Sequence, residues 1–194
     1  MSKCGVYQHR VFARKCTVRE ISNIQKRNFL NDNHLQGNCQ SFYNVGLFYN
    51  EELVAVMTLT RRKLGKNSKL NEIELGRFCS KLHTQVLGGM SKLLTHCRKQ
   101  FTEDIVSYCD KRYSDGKSYL AAGFQLVRET PPNYFYTANM IDLESRHKYQ
   151  KHKLKHFENY DESKTETEIM YEAGYRKIYD CGNYVFQIKS LKQS

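Results

Sequence analysis

The chain has no tryptophan and only two prolines among its 194 residues. Proline at that level excludes proline-rich spacers and polyproline architectures. No stretch approaches the ~18–20 consecutive apolar residues of a membrane-spanning helix, and the polar first ten residues hold no apolar signal core. The expectation is a cytoplasmic chain with no membrane partner. Cysteine occurs seven times, at positions 4, 16, 39, 79, 97, 109 and 181. That odd number without short pair spacing argues against a disulfide framework and for reduced thiols. Acidic residues are scarce: 20 Asp plus Glu face 31 Lys plus Arg, for a net charge of +11 and a pI near 9.3. The resulting positive field favours polyanions, nucleic acid first, with a CoA-type phosphate cofactor or an acidic protein also served by it.

What is present suffices for a globular core. Hydrophobic residues make up 40% and aromatics 12%, with 14 Tyr and 10 Phe, which excludes a disordered chain. The spacing of Ile21, Ile24, Phe29 and Leu30 predicts a helix over 18–31, closed by Asn31, Asp32 and Asn33. Residues 44–49 and 53–60 read as a hairpin turning at 50–52, its second strand buried. Residues 61–70, with Arg61, Arg62, Lys63, Lys66 and Lys69, read as a solvated basic loop. A strand follows over 72–79. Gly88 and Gly89 open a helix over 87–100 whose apolar stripe is Met90, Leu93, Leu94 and Cys97. Residues 105–109 form a short buried strand, 117–122 a short helix ended by Gly123, and 124–127 and 134–137 two more strands. This order predicts an α/β fold with a mixed, curved sheet flanked by helices over 1–143.

After Leu143 the texture changes. The stretch from Arg146 to His156 contains Arg146, Lys148, Lys151, Lys153 and Lys155 together with His147, His152 and His156. A helix is expected within 162–172, where Ser163 with Glu166 or Thr165 with Glu168 can form a capping box. Residues 177–180 and 184–188 read as a terminal hairpin. Residues 144–194 therefore read as a small basic α+β appendage. Its cations, with Arg61, Arg62, Lys63, Lys66 and Arg112, are expected to clamp DNA. Tyr149 among them, and Tyr134, Phe135 and Tyr136 after the paired prolines, are candidates to stack on a base. The three histidines do not keep one helical face, which favours phosphate contacts over a zinc site.

The segment Gln85-Val-Leu-Gly88-Gly89-Met90 precedes a helix, where glycines let backbone N–H groups approach a ligand and the helix terminus favours phosphate. Its place between two strands, followed by a short helix ending Tyr119-Leu-Ala-Ala-Gly123-Phe124, resembles the GNAT superfamily of acyl-CoA transferases. That resemblance implies an acyl-CoA-type donor held at Gln85, Gly88, Gly89, Met90 and Ser91; Met90 stands where the family has glycine or alanine. Over roughly 33–136, the motifs Asn33-His34…Gly37, Glu74-Leu-Gly-Arg77-Phe78, Gly88-Gly-Met-Ser91 and Ser107-Tyr-Cys-Asp110 with Tyr119 resemble the GNAT-like Mom-type phage enzymes that modify DNA adenine at N6. This resemblance implies Arg77, Ser91 and Asp110, with His34 and Tyr119, as catalytic residues in a phage-infected host. Over nearly the whole chain, from Ala13-Arg-Lys-Cys16 to Tyr179-Asp-Cys-Gly-Asn183, it also resembles the C-terminal module of phage homing-endonuclease-like proteins.

Each residue also has a plainer reading. Asp110, at a strand end, is a base, a metal ligand or a turn cap. Arg77 orients a substrate or pairs with an acid such as Glu74. His34 is a base, a metal ligand or a loop histidine, and Ser91 is more simply a helix cap. The resulting expectation is a DNA-base-modifying transferase. A non-catalytic DNA-binding module and a CoA-dependent N-acetyltransferase are the alternatives, and both an acyl-CoA-type donor and a metal ion stay open.

Overall fold

The computed structural model describes residues 7–61 and 72–191. They form two compact units. The first comprises the described residues up to Cys109, Asp115–Arg128 and those from Val185 onward; the second comprises Asp110–Ser114 and Glu129–Tyr184.

The first unit is built on a seven-stranded sheet. Its strands are β2 (Thr17–Glu20), β3 (Tyr43–Tyr49), β4 (Glu52–Arg61), β5 (Glu72–Ser80), β7 (Asp104–Asp110), β8 (Gln125–Glu129) and β12 (Asn183–Ile188). They lie side by side as β2-β3-β4-β5-β7-β12-β8. The β3–β4 hairpin turns at Asn50 and Glu51, both at positive φ (48° and 63°), the two-residue turn whose twist matches that of the flanking strands. Val54 through Leu59 is buried without a break, as expected of a central strand covered on both faces. Between β4 and β5 the register slips: Thr58 faces Arg77 but Leu59 faces Leu75, which leaves Gly76 as the extra residue of a bulge. Only glycine fits there, because a Cβ would lie 2.7 Å from Thr60 Cγ2.

Helix α1 (Asn23–Asn33) packs on β4 and β5, and Ser22 and Gln25 close its start as a capping box. The helix expected over 18–31 thus begins later. Val18 belongs to β2, whose ladder with β3 pairs Thr17 with Phe48 and Glu20 with Val45. Helix α2 (Gly89–Gln100) buries Met90, Leu93, Leu94 and Cys97, each apolar side chain contributing roughly 1.5–3 kcal/mol. Two short strands, β1 (His9–Phe12) and β6 (Thr84–Leu87), pair in parallel just before α2. Helix α3 (Lys117–Ala121) follows β7.

The second unit has a three-stranded sheet in the order β10-β9-β11, from β9 (Tyr134–Thr137), β10 (Glu144–Ser145) and β11 (Arg176–Tyr179). Helix α4 (Glu166–Glu172) is capped by Thr165 and Glu168, which decides between the two capping boxes. Tyr136, Tyr149, Leu154, Ile169 and Met170 are its core. The terminal hairpin expected from residues 177–188 does not form: β11 pairs with β9, and β12 enters the large sheet between β7 and β8. Both are non-local pairings that strand spacing does not encode. Among the described residues, no helix is long and apolar enough to cross a membrane.

Candidate functional site

Strands β5 and β7 run parallel and pair over only three positions, Glu72 with Asp104, Ile73 with Ile105 and Glu74 with Val106. The ladder stops where the Gly76 bulge begins, so from there β5 turns an open edge toward β7. The Ser107 hydroxyl of β7 spans the start of this split, 3.2 Å from the Leu75 carbonyl oxygen and 3.2 Å from the Tyr119 phenol oxygen. Tyr119 is fixed by its ring, which stacks on Phe186 at 4.9 Å and meets Phe124 edge-on at 5.5 Å. Burial raises its pKa, while the Ser107 hydrogen bond and the Arg77 charge pull the other way. The phenol therefore keeps its proton to higher pH than an exposed tyrosine.

Arg77 leaves the bulge with Nε donating to the Gly37 carbonyl at 3.4 Å and Nη1 to the Gly76 carbonyl at 2.7 Å. It does not pair with Glu74. Its charge is felt by both Tyr119 and His34. His34 caps the C-terminus of α1, and burial first, then Arg77, lowers its pKa from 6.5 to about 4. The ring is neutral at physiological pH. Its Nδ1 accepts the Gln36 backbone N–H at 3.1 Å, which leaves the ring proton on Nε2 as a donor. The fold thus gathers Arg77, His34 and Tyr119, far apart in sequence, within electrostatic reach of Arg77.

The Gly88–Ser91 segment begins α2, as the glycine pair suggested. Gly88 takes a left-handed backbone, φ +73°, and no side chain caps the helix. The first N–H groups of α2 therefore lack a capping side chain, an arrangement that receives anions. Beside it lies a groove of about 650 Å³, lined among others by Arg14, Gly88, Ser91, Lys92 and Lys99. Ser91 is exposed, and its carbonyl accepts the Thr95 hydroxyl at 2.8 Å. Gln85 sits on β6, and its side-chain oxygen is buried without a hydrogen-bond partner. Met90 points into the core.

Asp110 falls in the second unit, at the end of β7. Its carboxylate accepts Arg112 Nε at 3.1 Å, Nη2 at 2.6 Å and the backbone N–H at 2.9 Å. This is the turn-cap geometry, and it also occupies Arg112. The basic tract forms two 3₁₀ turns, Arg146–Lys148 and Lys151–Lys153. Lys148 pairs with Glu144 at 2.9 Å, Lys151 donates to the Glu162 carbonyl, Lys153 donates to the His147 carbonyl, and Lys155 is exposed. Arg146 lies over the Tyr134 ring at 5.3 Å. Arg61 is 3.5 Å from Glu103 and lies over Phe42; Arg62, Lys63 and Lys66 fall outside the described residues.

Two of the expected base-stacking aromatics are core residues instead. Tyr136 is 1% exposed and Tyr149 is 9% exposed, their rings meeting edge-on at 5.5 Å. The hydroxyls of Tyr134 and Tyr136 both donate to Glu166 at 2.9 Å. By sequence the second unit holds ten Lys and Arg against eleven Asp and Glu, whereas the first holds 21 against nine. The excess positive charge thus resides in the first unit, not in the tail. Among the described residues, no three His, Cys, Asp or Glu side chains gather as a metal-ligand set.

No protein-family model matches the chain, and no curated protein matches its sequence. Solved structures do. A Bacillus subtilis acetyltransferase in complex with CoA aligns with a TM-score of 0.50 at 14% identity, over 91% of this chain and 100% of that one. Arabidopsis thaliana Naa50, in complex with a bisubstrate analogue, aligns with a TM-score of 0.50 at 12% identity, over 90% of this chain and 99% of that one. The fold is GNAT-like. Base modification finds no support in these neighbours, and two of its four supposed stacking residues, Tyr136 and Tyr149, are buried.

Sequence reasoning missed three residues of the site. Ser107 was read as part of a strand and of a family-like motif, with no role of its own. The Gly76 bulge had a signal, since an isolated glycine inside a strand pattern marks one. Lys26 of α1, 4% exposed and donating to the Cys39 carbonyl, had none: a lysine on a helix is expected in water, and its burial is a tertiary event.

Proposed function

We propose that the chain is a CoA-dependent acyltransferase that transfers an acyl group to an amine. The observation that carries this reading is the split of β5 from β7 at the Gly76 bulge, with the Tyr119 hydroxyl at its start. The uncapped, glycine-initiated α2 and the CoA in the Bacillus subtilis neighbour support it.

The residues present fit such a cofactor. Gly88 has room around it, its nearest potential contact being Ala13 Cβ at 3.8 Å, and the first N–H groups of α2 suit a diphosphate. When bound, acyl-CoA supplies a thioester carbonyl and a thiolate leaving group. Residues Gly88–Ser91 would hold the diphosphate, and the edge of β5 beyond Gly76 would offer backbone groups to the rest of the donor. Tyr119 would give the proton on its hydroxyl to the thiolate, and the phenolate so formed, hydrogen-bonded by the Ser107 hydroxyl 3.2 Å away, would take up the proton that the acceptor nitrogen loses on acylation. His34 donates from Nε2 and Arg77 contributes positive charge, so both orient the acceptor rather than remove its proton. The Asp110 carboxylate, held by Arg112, has no role in this reading. Calorimetric titration with CoA, followed by thiol release from acetyl-CoA across a panel of amines, tests it. Saturable CoA binding is expected, and absence of binding at millimolar CoA overturns the reading.

A further inference from the structure

Lys26 lies on α1 and is 4% exposed. Its ammonium donates to the Cys39 carbonyl at 2.6 Å and to the Ser41 hydroxyl at 3.1 Å. Both acceptors are neutral, and among the described residues no carboxylate pairs with it. A buried ammonium without a counter-ion is costly, and two neutral acceptors leave one of its three protons unspent. It borders a pocket of about 470 Å³ whose polar lining includes Asn23, Arg27, Asn38, Gln40 and Ser41, with no acidic residue. Arg27 is exposed and has no partner among the described residues. The pocket therefore offers two positive charges, three side-chain amides and a hydroxyl, and lacks only the negative charge that would balance them. It shares a wall with the split: Cys39, whose carbonyl receives Lys26, has its Sγ 3.4 Å from Thr58 Oγ1 and 3.5 Å from where a Gly76 Cβ would stand.

We propose that this pocket is an oxyanion site that anchors the acceptor by a phosphate or carboxylate group; its assignment to the acceptor rests on the acyl-transfer reading. Lys26 and Arg27 hold the anion, the side-chain amides of the 38–40 loop and Asn23 complete its hydrogen bonds, and the rest of the acceptor passes Cys39 toward the bulge. Preferred acceptors are thus anionic amines, which also suits a unit whose charge is strongly positive.

The test is a titration of the full ¹⁵N-labelled chain with inorganic phosphate and, separately, acetate, at ionic strength held constant with chloride. Saturable shifts are expected at the amides of residues 38–41 and at the side-chain NH₂ groups of Asn23, Asn38 and Gln40. The anion with the tighter saturation names the source, phosphate or carboxylate. Lys26→Met should weaken that binding about tenfold or more, the scale of one charge-assisted hydrogen bond, while any shifts at Gly88–Ser91 stay as in the parent. Arg27→Gln, at an exposed position, should weaken it severalfold and keeps the test decisive if Lys26→Met does not fold. Linear, unsaturable shifts at the pocket, or unchanged affinity in a folded Lys26→Met or in Arg27→Gln, overturn the proposal and leave Lys26 as a strut between α1 and its loop. In a kinetic arm, phosphoethanolamine is compared with ethanolamine as acceptor for acetyl-CoA, and Lys26→Met should raise KM for the phosphorylated amine with kcat held. Absence of turnover with every amine would sink acyl transfer while the titration still judges the pocket.

Discussion

Replacing Tyr119 by phenylalanine separates chemistry from packing. The ring contacts with Phe186 at 4.9 Å and Phe124 at 5.5 Å survive in Tyr119→Phe, because both are made by the ring. The lost hydroxyl has one hydrogen-bond neighbour among the described residues, Ser107 at 3.2 Å, and Ser107 retains the Leu75 carbonyl as an acceptor, so no buried polar atom is stranded. The stability cost is about 1 kcal/mol, which in a domain this size shifts Tm by roughly 2–4 °C. Loss of a proton donor to the leaving group instead costs roughly 10²–10⁴-fold in rate. Thiol release from acetyl-CoA measures the rate, thermal unfolding measures the stability, and CoA titration shows that binding is intact. Because burial raises the phenol's pKa, the parent chain should, on the acyl-transfer proposal, keep its rate as pH rises toward the ordinary tyrosine value and lose it only above that. The variant should lack this limb. Turnover at the parent rate in Tyr119→Phe would refute the role given to this hydroxyl, whatever happened to Tm.

Other consequences are as open to measurement. His34 has its pKa lowered to about 4, so between that value and 6.5 the unfolded chain binds a proton that the folded chain does not. Its contribution is therefore present above pH 6.5 and lost as pH falls toward 4, worth about 1–2 kcal/mol once the partial exposure of the ring is discounted. Urea unfolding between pH 4 and 7 should show that slope shrink in His34→Gln. Gly88→Ala pays about 1–2 kcal/mol for its left-handed backbone, seen as a Tm lower by a few degrees, and should weaken CoA binding in calorimetry by placing a methyl in the cradle. Leu154→Ala, at a position with 0% exposure in the second unit, should cost about 2–5 kcal/mol in denaturant unfolding while leaving CoA affinity unchanged.

The parts of this fold written in local pattern were readable. The 3.6-residue stripe of Met90, Leu93, Leu94 and Cys97 placed α2, and the unbroken apolar run from Val54 placed β4 as a central strand. Asn50 marked the hairpin turn. The glycine pair was found at the head of α2, and Tyr119 entered through the resemblance of its segment, ending Gly123-Phe124, to a family motif. What failed depended on partners distant in sequence. β2 is a strand because β3 lies beside it, although Val18 fits the helical spacing of Ile21. Tyr149 lies among lysines and looks solvated, but its ring fills the second unit's core beside Tyr136 and Tyr175. Asp110 was read as a base, a metal ligand or a turn cap, and its ion pair with Arg112, only two residues on, belongs to local geometry instead.

The position of β12 also governs when this protein can finish folding. β7 and β8 are made long before residues 183–188, yet β12 is the strand that lies between them. A chain emerging from the ribosome therefore carries two unjoined strand edges while residues 130–182, most of the second unit, are being synthesised. Those edges are the natural targets for chaperones during translation, and a stalled or prematurely terminated product would expose them permanently.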